Sequence, residues 1–173
     1  VKNEKGNVGD AIILGQEMLI NFNIKQILNI KSDYKLNYFI NFSNLSASYI
    51  RSDVNGVEGK KLEFVPTINC KTGMQIGYRN IKTDIQYTFM SEQYTDATNS
   101  IDGDISGIIG CIPQYSILDF SLSYLFKKYF NLEFGVNNVL DSHYFTTRVT
   151  GYPGPGIIPS TPRNYYLSIQ YKL

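Results

Sequence analysis

The chain has 173 residues and a formal net charge of +1 at pH 7, with both signs of charge scattered along it. This balance argues against a nucleic-acid partner, and no apolar run approaches the ~18 residues of a transmembrane helix. The length suits one domain, residues 1–173. The chain begins at Val1 with no signal-peptide pattern, so we expect a mature product or an internal piece of a longer protein.

The first half of the chain alternates between apolar and polar residues, which is typical of strands rather than helices. Residues 1–10 are polar and predict a loop. A strand follows from Ala11 to about Ile24, and a turn is expected around Lys31 to Tyr34. In the next strand, about Leu36 to Ile50, the apolar phase slips, which predicts a β-bulge near Ser43 and Asn44.

The second half predicts further strands joined alternately by short turns and long loops. Two strands, Thr67–Tyr78 and Ile81–Tyr94, are separated by only Arg79 and Asn80. Three more are predicted at 118–126, 130–136 and 164–173. The long loops are 51–66, 95–114 and 143–163. Consecutive strands change ends at every step, so all short turns should lie at one end and all long loops at the other.

Strand length and charge favour a membrane barrel over a soluble sandwich. Nine residues from Leu118 to Phe126, tilted by ~40°, span about 23 Å, close to the ~25 Å apolar band of an outer-membrane barrel. The polar sides of the strands carry charged residues, which are rarely buried in a packed core but are stable in a water-filled lumen. These residues are Glu17, Lys71, Lys82, Asp84, Asp119 and Glu133. We predict an all-β, antiparallel, up-and-down transmembrane barrel wall of about eight strands. Tyr and Phe residues near the strand ends suggest aromatic girdles.

Several motifs give the chain a family resemblance. The segments NVGDAIILGQE, IPQYSILDFSLSY, GVNNVLDSHYFTTR, YPGPGIIPS and PRNYYLSIQYKL, and the pair Val65 and Pro66, resemble in order and spacing the C-terminal part of TonB-dependent outer-membrane receptors. The ferric-citrate and ferric-siderophore receptors are the subgroup that the chain resembles. Two positions depart from the family pattern, Leu140 and the final Leu173, where the family usually has Phe.

The resemblance implies a 22-stranded barrel plugged by an N-terminal domain, of which this chain is about the last third of the wall. It implies a Gram-negative outer-membrane location with long loops extracellular and the C-terminus periplasmic. The implied function is uptake of a ferric chelate. The implied partners are the chelate, outer-membrane lipid, the barrel-assembly machinery, and the TonB complex through the missing N-terminal region. Alternatives are a small outer-membrane barrel with a structural or anchoring role, or a barrel enzyme.

Candidate site residues cluster near the last long loop. Arg148, Tyr152 and Arg163 frame its Pro/Gly stretch, and the Arg side chains offer forked donors to an anionic chelate or to headgroup phosphates. The single histidine, His143, is either a contact to haem or iron or a solvated loop residue. Only Asp141 is near it in sequence, so we expect no metal site and no cofactor. One histidine also leaves no nucleophile set, so we expect no enzyme activity.

A second group of polar residues follows the predicted strand 130–136. Asn and Asp side chains at strand ends bond the neighbouring backbone, so Asn137, Asn138, Asp141 and Tyr144 are interpreted as a structural motif where the chain bends. The alternative is a ligand site. The charged residues of the polar side likewise form either a substrate path or a polar ladder that faces water or the plug.

Overall fold

The computed structural model describes residues 9–30, 33–151 and 154–171. Its strands, in chain order, are β1 (Gly9–Asn23), β2 (Tyr34–Ser52), β3 (Ile68–Tyr78), β4 (Ile81–Met90), β5 (Gln93–Tyr94), β6 (Cys111–Ile112), β7 (Tyr115–Phe126), β8 (Phe130–Asn137), β9 (Phe145–Val149), β10 (Gly156–Pro159) and β11 (Asn164–Tyr171). One short helix, α1 (Ile24–Ile27), follows β1. Predictions about residues 1–8, Tyr152 and Leu173 lie outside the described residues.

Seven strands form one antiparallel sheet in the order β1, β2, β3, β4, β7, β8, β11. Strands that follow one another within this sheet are therefore neighbours in space, which confirms the predicted all-β, up-and-down arrangement. About eight strands were predicted, and the described residues give seven in this sheet. The remaining strands form two separate pairs inside the long loops, β5 with β6 and β9 with β10. No helix of the described residues is long and apolar enough to cross a membrane.

The pairing register keeps one chemical character on each side of the sheet. Directly paired residues of an antiparallel sheet point to the same side. The partners Phe42 and Cys70, then Cys70 and Phe89, carry an apolar row across three strands. The apolar face, as defined by the register, includes Met18, Ile20, Phe22, Tyr38, Ile40, Phe42, Met74, Ile76, Ile85, Tyr87, Phe120, Leu122, Phe134, Leu167 and Ile169.

The opposite side, the polar face, carries all six predicted lumen charges. Its residues include Glu17, Asn41, Lys71, Gln75, Lys82, Asp84, Gln86, Asp119, Ser121, Glu133, Asn137 and Gln170. On the apolar face, Leu167 is 72% exposed and Ile169 is 65% exposed. A contiguous exposed apolar face of this extent needs an apolar environment outside the sheet.

The two ends of the sheet differ in their connections. At the short-turn end, Arg79, Lys127 and Lys128 adopt left-handed φ values of 51°, 49° and 64° in the two tight turns. The third connection at this end begins with helix α1, and residues 31 and 32 of the turn predicted around residues 31–34 lie outside the described residues. Strand β1 ends at Asn23, whose side-chain Oδ1 accepts a hydrogen bond from Gln26 N at 3.1 Å and so begins helix α1. All long loops lie at the opposite, long-loop end.

The predicted bulge near Ser43 and Asn44 is wrong, because the register of β2 runs unbroken through both residues. The irregularity lies farther along, where Asp10 pairs with Arg51 and Ala11 pairs with Tyr49, leaving Ile50 unpaired. The apolar residues of β2 do move from the apolar face to the polar face after Asn44. Pairing of β2 with β3 ends at this residue, and beyond it a loop covers the polar face, so apolar side chains are buried there.

Four backbone hydrogen bonds attach that loop to β2, and the first runs from Leu45 N to Thr67 O at 2.8 Å. Tyr49 N donates to Lys60 O at 2.9 Å, Gly59 N donates to Tyr49 O at 2.8 Å, and Leu62 N donates to Ala47 O at 3.1 Å. Under this cover Ala47 is 7% exposed and Val57 is 2% exposed. The phase slip therefore marks a change of packing partner along one continuous strand.

The predicted strand 81–94 is divided in the structure. β4 ends at Met90, and Gln93 and Tyr94 turn away to pair with Ile112 and Cys111. Cys111, within the predicted loop 95–114, is thus in β6, and Cys70 lies on the apolar face of β3. Both cysteines are free thiols. The predicted loop 143–163 also contains a β-pair, in which Gly156 lies opposite Val149.

A hydrogen-bonded corner follows β8. The side chain of Asn138, 3% exposed, donates to Ser142 O and accepts from Ser142 N, both at 2.9 Å. Its backbone N donates to Asp119 Oδ1 at 2.9 Å, and Asp141 Oδ1 accepts from Arg163 N at 3.0 Å. These bonds turn the chain back over β7 and then position the start of β11.

The remaining motif residues also lie at this corner. Asn137 Nδ2 donates to Asn164 Oδ1 at 2.9 Å across the pair of strands β8 and β11. Tyr144 stacks on Tyr115 with ring centres 4.6 Å apart. The motif therefore connects β7, β8 and β11 at the long-loop end. Whether it also binds a ligand stays a prediction.

A glycine on the polar face makes room for an aromatic ring of the next strand. Gly135 of β8 is paired with Tyr166 of β11, and a Cβ at Gly135 would overlap the Tyr166 ring. The ring lies across the glycine, and its hydroxyl donates to Glu133 Oε1 at 2.8 Å. Only glycine allows this close approach.

We expect Gly135→Ala to lower the free energy of unfolding by about 1–3 kcal/mol, because the methyl group must displace the Tyr166 ring. Urea unfolding of the full-length protein that carries this sequence, in lipid vesicles, would measure the change. Gly151→Ala is the control, since nothing lies within 4 Å of a Cβ there. Equal effects of the two substitutions would contradict this packing, as would full additivity of Gly135→Ala with Tyr166→Ala.

We expect Asn138→Ala to lower the free energy of unfolding by about 2–3 kcal/mol, since it leaves both Ser142 backbone groups without their partner and puts alanine at a φ of 54°. The adjacent Asn137→Ala removes one exposed hydrogen bond and should cost less than about 1 kcal/mol. The same unfolding measurement compares them. The assigned role of Asn138 is wrong if the two variants lose equal stability.

Candidate functional site

Parts of the long loops bond to one another and form a loop assembly, defined here as residues 53–67, 91–114 and 138–163 apart from 152–153. The first two loops meet at Lys61 and Asn99. Lys61 N donates to Asn99 Oδ1 at 2.7 Å, and Asn99 Nδ2 donates back to Lys61 O at 2.8 Å. Phe64 N donates to Tyr94 O at 2.9 Å. These reciprocal bonds fix one loop against the other without a β-sheet.

Arg148 attaches the last loop to the middle one. Its Nη1 donates to Gly107 O at 2.8 Å and its Nη2 donates to Cys111 O at 3.0 Å. The guanidinium carbon lies 5.2 Å from the centre of the Phe145 ring. Nε is buried and has no hydrogen-bond partner among the described residues. The forked donor pair predicted to meet an anionic chelate is therefore directed at two backbone carbonyls, and Arg148 holds the two loops together.

Carboxylates order the turns of the middle loop. Asp96 accepts hydrogen bonds from Ser100 N at 3.1 Å and from the hydroxyl groups of Thr98 and Ser100. Partial burial acts to raise the pKa of Asp96, but these hydrogen bonds outweigh it and hold the pKa below its ordinary value. The hydroxyl of Ser106 and the backbone N of Ile109 likewise lower the pKa of Asp104. Both carboxylates are thus stabilised as anions that shape the loop.

The two other predicted contact residues that the structure describes, Arg163 and His143, have different surroundings. Arg163 is exposed, and its Nε donates to Val139 O at 3.1 Å, which places the guanidinium beside the corner. His143 is exposed and lines a cavity of about 490 Å³ together with Tyr87 and Phe89, which belong to the apolar face. Arg163 is not among the residues that line this cavity. Tyr152 lies outside the described residues, and direct ligand contact by any of these residues stays a prediction.

The charged residues of the polar face are partly neutralised within the wall. Lys82 Nζ lies 3.0 Å from Asp84 Oδ2, and Asp119 and Glu133 accept the hydrogen bonds from Asn138 and Tyr166. The wall is a hydrogen-bonded polar surface, which agrees with the interpretation as a polar ladder. In the part of the chain that the structure describes, no three His, Cys, Asp or Glu side chains are grouped to hold a metal ion.

Sequence reasoning missed the residues that organise the loop assembly. Lys61, Asn99 and Asp96 carry its hydrogen bonds, and none of them was singled out. A local signal existed for Asp96, because an Asp followed by Thr and Ser at short spacing is typical of side-chain-capped turns. No signal existed for the pairing of Lys61 with Asn99, since 38 residues separate them.

Known structures share this arrangement of strands. The ferric citrate transporter FecA, in its unliganded form, matches with a TM-score of 0.82 over 94% of this chain, at 21% sequence identity. The ferric yersiniabactin uptake receptor FyuA from Yersinia pestis matches with a TM-score of 0.74 over 95% of this chain, at 17% identity. The siderophore receptor PiuA from Acinetobacter baumannii matches with a TM-score of 0.71 over 95%, at 18% identity.

The chain spans about a quarter of the length of these proteins, 24% of FecA, 24% of FyuA and 22% of PiuA. No protein-family model matches the sequence. At these identities the matches establish the fold, and the fold agrees with the motifs that the sequence shares with one family. The chain therefore has the fold of a barrel segment of the TonB-dependent outer-membrane receptors, the family of ferric-citrate and siderophore receptors that its sequence resembles.

Proposed function

We propose that this chain is part of the barrel wall of an outer-membrane receptor that takes up a ferric chelate. The observation that carries the proposal is the match of 94% of the chain to FecA with a TM-score of 0.82. The names of FecA, FyuA and PiuA connect them with ferric citrate, ferric yersiniabactin and a siderophore, respectively. The two-faced sheet supports the same proposal, because it suits hydrocarbon on one side and water on the other.

The long-loop end is proposed to be extracellular and the short-turn end periplasmic. Outer-membrane barrels have short periplasmic turns and longer extracellular loops. The strands β1 and β2 have 15 and 19 residues, more than the ~9–11 that cross a bilayer, so their upper parts extend beyond it toward the loop assembly. Strand β11 runs toward the short-turn end, which would place the C-terminus in the periplasm.

Chelate capture is proposed to take place at the loop assembly, with two different roles for its arginines. Arg163 is exposed, and among the described residues its side chain is bonded only through Nε, so its two terminal nitrogens can pair with a carboxylate of the chelate. Arg148 acts indirectly by holding the middle and last loops together. For His143 and Tyr152, contact with the chelate is a weaker expectation, because the cavity that His143 lines includes Tyr87 and Phe89 of the apolar face and Tyr152 lies outside the described residues.

The other partners belong to the complete receptor. Since the chain spans about a quarter of the matched receptors, a plug and coupling to the TonB complex are proposed for regions outside this sequence. Assembly by the barrel-assembly machinery and contact with outer-membrane lipid follow from the proposed location. The small-barrel alternative is less well supported, because β1 and β11 are the two edges of the described sheet and do not pair with each other.

We expect Arg163→Ala to weaken binding of ferric citrate or a ferric siderophore about tenfold, since one charge-assisted hydrogen-bonded pair contributes roughly 1.5–3 kcal/mol. Affinity would be measured by intrinsic fluorescence quenching with the full-length protein and a panel of ferric chelates. Lys60→Ala, which removes one exposed positive charge from the first loop, is the matched control. Unchanged affinity of the Arg163 variant for every chelate bound by the unmodified protein would remove Arg163 from the site.

We expect Arg148→Ala to increase amide hydrogen exchange in residues 101–111 while also weakening chelate affinity, because the Gly107 and Cys111 carbonyls lose their donors. Arg148→Lys should restore only part of the protection, since an ammonium group cannot reproduce the planar fork. If affinity falls while exchange in this loop stays unchanged, Arg148 contacts the chelate directly and the indirect role is wrong.

A further inference from the structure

Charge is distributed unequally between the two ends of the wall. At the short-turn end the described cationic residues are Lys25, Lys35, Arg79, Lys82, Lys127 and Lys128, and the described acids at the same level are fewer, namely Asp33, Asp84 and Glu133. At the long-loop end, acidic residues of the loop assembly and its borders outnumber the basic ones. Lys82 is paired with Asp84, and the described residues provide no ion-pair partner for Arg79, Lys127 or Lys128. The short-turn end is therefore a positive surface.

Two of these cations stand over aromatic rings that end the apolar face. The Arg79 guanidinium carbon lies 5.1 Å from the centre of the Tyr78 ring, and Tyr78 stacks on Tyr34 with ring centres 4.4 Å apart. Lys127 Nζ lies 5.2 Å from the centre of the Phe126 ring. Aromatic rings at the edge of an apolar band lie at the depth of the headgroups. A cation held over such a ring is thus placed at the level of lipid phosphates.

The two tight turns that carry these cations are neighbours on the rim. Strands β4 and β7 pair directly, and Leu125 N donates to Asn80 O at 2.8 Å between the two turns. With strands ~4.8 Å apart, the centres of the turns lie about 10 Å from each other. That spacing is comparable to the width of a phospholipid headgroup. Positive φ values at Arg79 and Lys127 fix the backbone at both positions.

We propose that this short-turn rim, formed by Arg79 and Lys127 with Tyr34, Tyr78 and Phe126, is a binding surface for the phosphate groups of anionic phospholipids. The rim offers the two components that such a lipid needs: cations for its phosphate and net negative charge, and an aromatic and aliphatic face for the start of its acyl chains. A soluble acidic partner would pair with the cations but would not need aromatic rings at the edge of the apolar face. The proposal rests on the membrane orientation given under the proposed function.

The test compares lipid preference in the full-length protein that carries this sequence. The protein is placed in nanodiscs that contain phosphatidylglycerol and phosphatidylcholine, and native mass spectrometry measures the ratio of the two lipids that stay bound. The double variant Arg79→Gln with Lys127→Gln should lower the preference for phosphatidylglycerol about fivefold for each cation removed, the equivalent of ~1 kcal/mol. The exchange Arg79→Lys with Lys127→Arg keeps the charge and should keep most of the preference.

The matched control removes the same charge from the opposite end. Arg51→Gln with Lys60→Gln should leave the lipid ratio unchanged, and the exposed pair of Arg51 with Asp10 contributes little to stability. Excess inorganic phosphate at constant ionic strength should not displace the lipid. An unchanged ratio in the Arg79 and Lys127 variant, an equal loss in the control, or displacement by phosphate would overturn the proposal.

The outcome is also separable from that of the proposed function. Chelate affinity is measured at the other end of the molecule and does not enter the lipid ratio. A protein that inserts into the nanodiscs and shows no headgroup preference contradicts only this inference. A protein that does not insert contradicts both.

Discussion

The structure depends on one constraint, that each strand presents a different chemistry to each side and that the register keeps these sides aligned across the sheet. A shift of one residue in any strand would move its whole apolar row to the polar side. The register prevents this through consecutive pairs, such as Ile85 with Phe120 and Phe120 with Val136. Large side chains such as Leu167 can therefore remain exposed, because they share their side only with other apolar groups.

The same constraint explains why the polar side is built from mutually paired groups. A wall that faces water can hold charges, and here several of them bond across strands or along one strand. Tyr166 bridges to Glu133 over a glycine, and Lys82 pairs with Asp84. These contacts are exposed or half-buried, so each contributes modestly to stability. Their greater effect is to fix side-chain positions on the polar face.

The two ends of the sheet differ in shape and charge because they are connected differently. Tight turns leave the short-turn end flat, basic and bordered by aromatic rings. The long loops fold over the other end and are bound together by Arg148 and by the reciprocal bonds of Lys61 and Asn99. A capture surface needs such an assembly, since loops that are ordered before binding lose less conformational entropy when the ligand arrives. The fold thus separates the proposed capture surface from the proposed lipid-binding rim.

The sequence by itself determined the strands, their two faces and the alternation of turns and loops, because a period of two and the positions of polar stretches are local properties. The sequence also showed that the alternation of apolar residues shifts within β2, but it did not show why. Leu45, Ala47 and Tyr49 follow a second pattern because a loop covers them, and the sequence alone could not separate that from a bulge.

Only the tertiary structure decided the roles of the loop residues. Arg148 has the chemistry of an anion contact, and its position between Gly107 and Cys111 makes it a connection between loops instead. In sequence, His143 belongs to the same long loop as Arg148. In space, it lies beside Tyr87 and Phe89 of the apolar face. Such roles depend on partners some 40 residues or more away in the chain, and no local pattern encodes contacts at that separation.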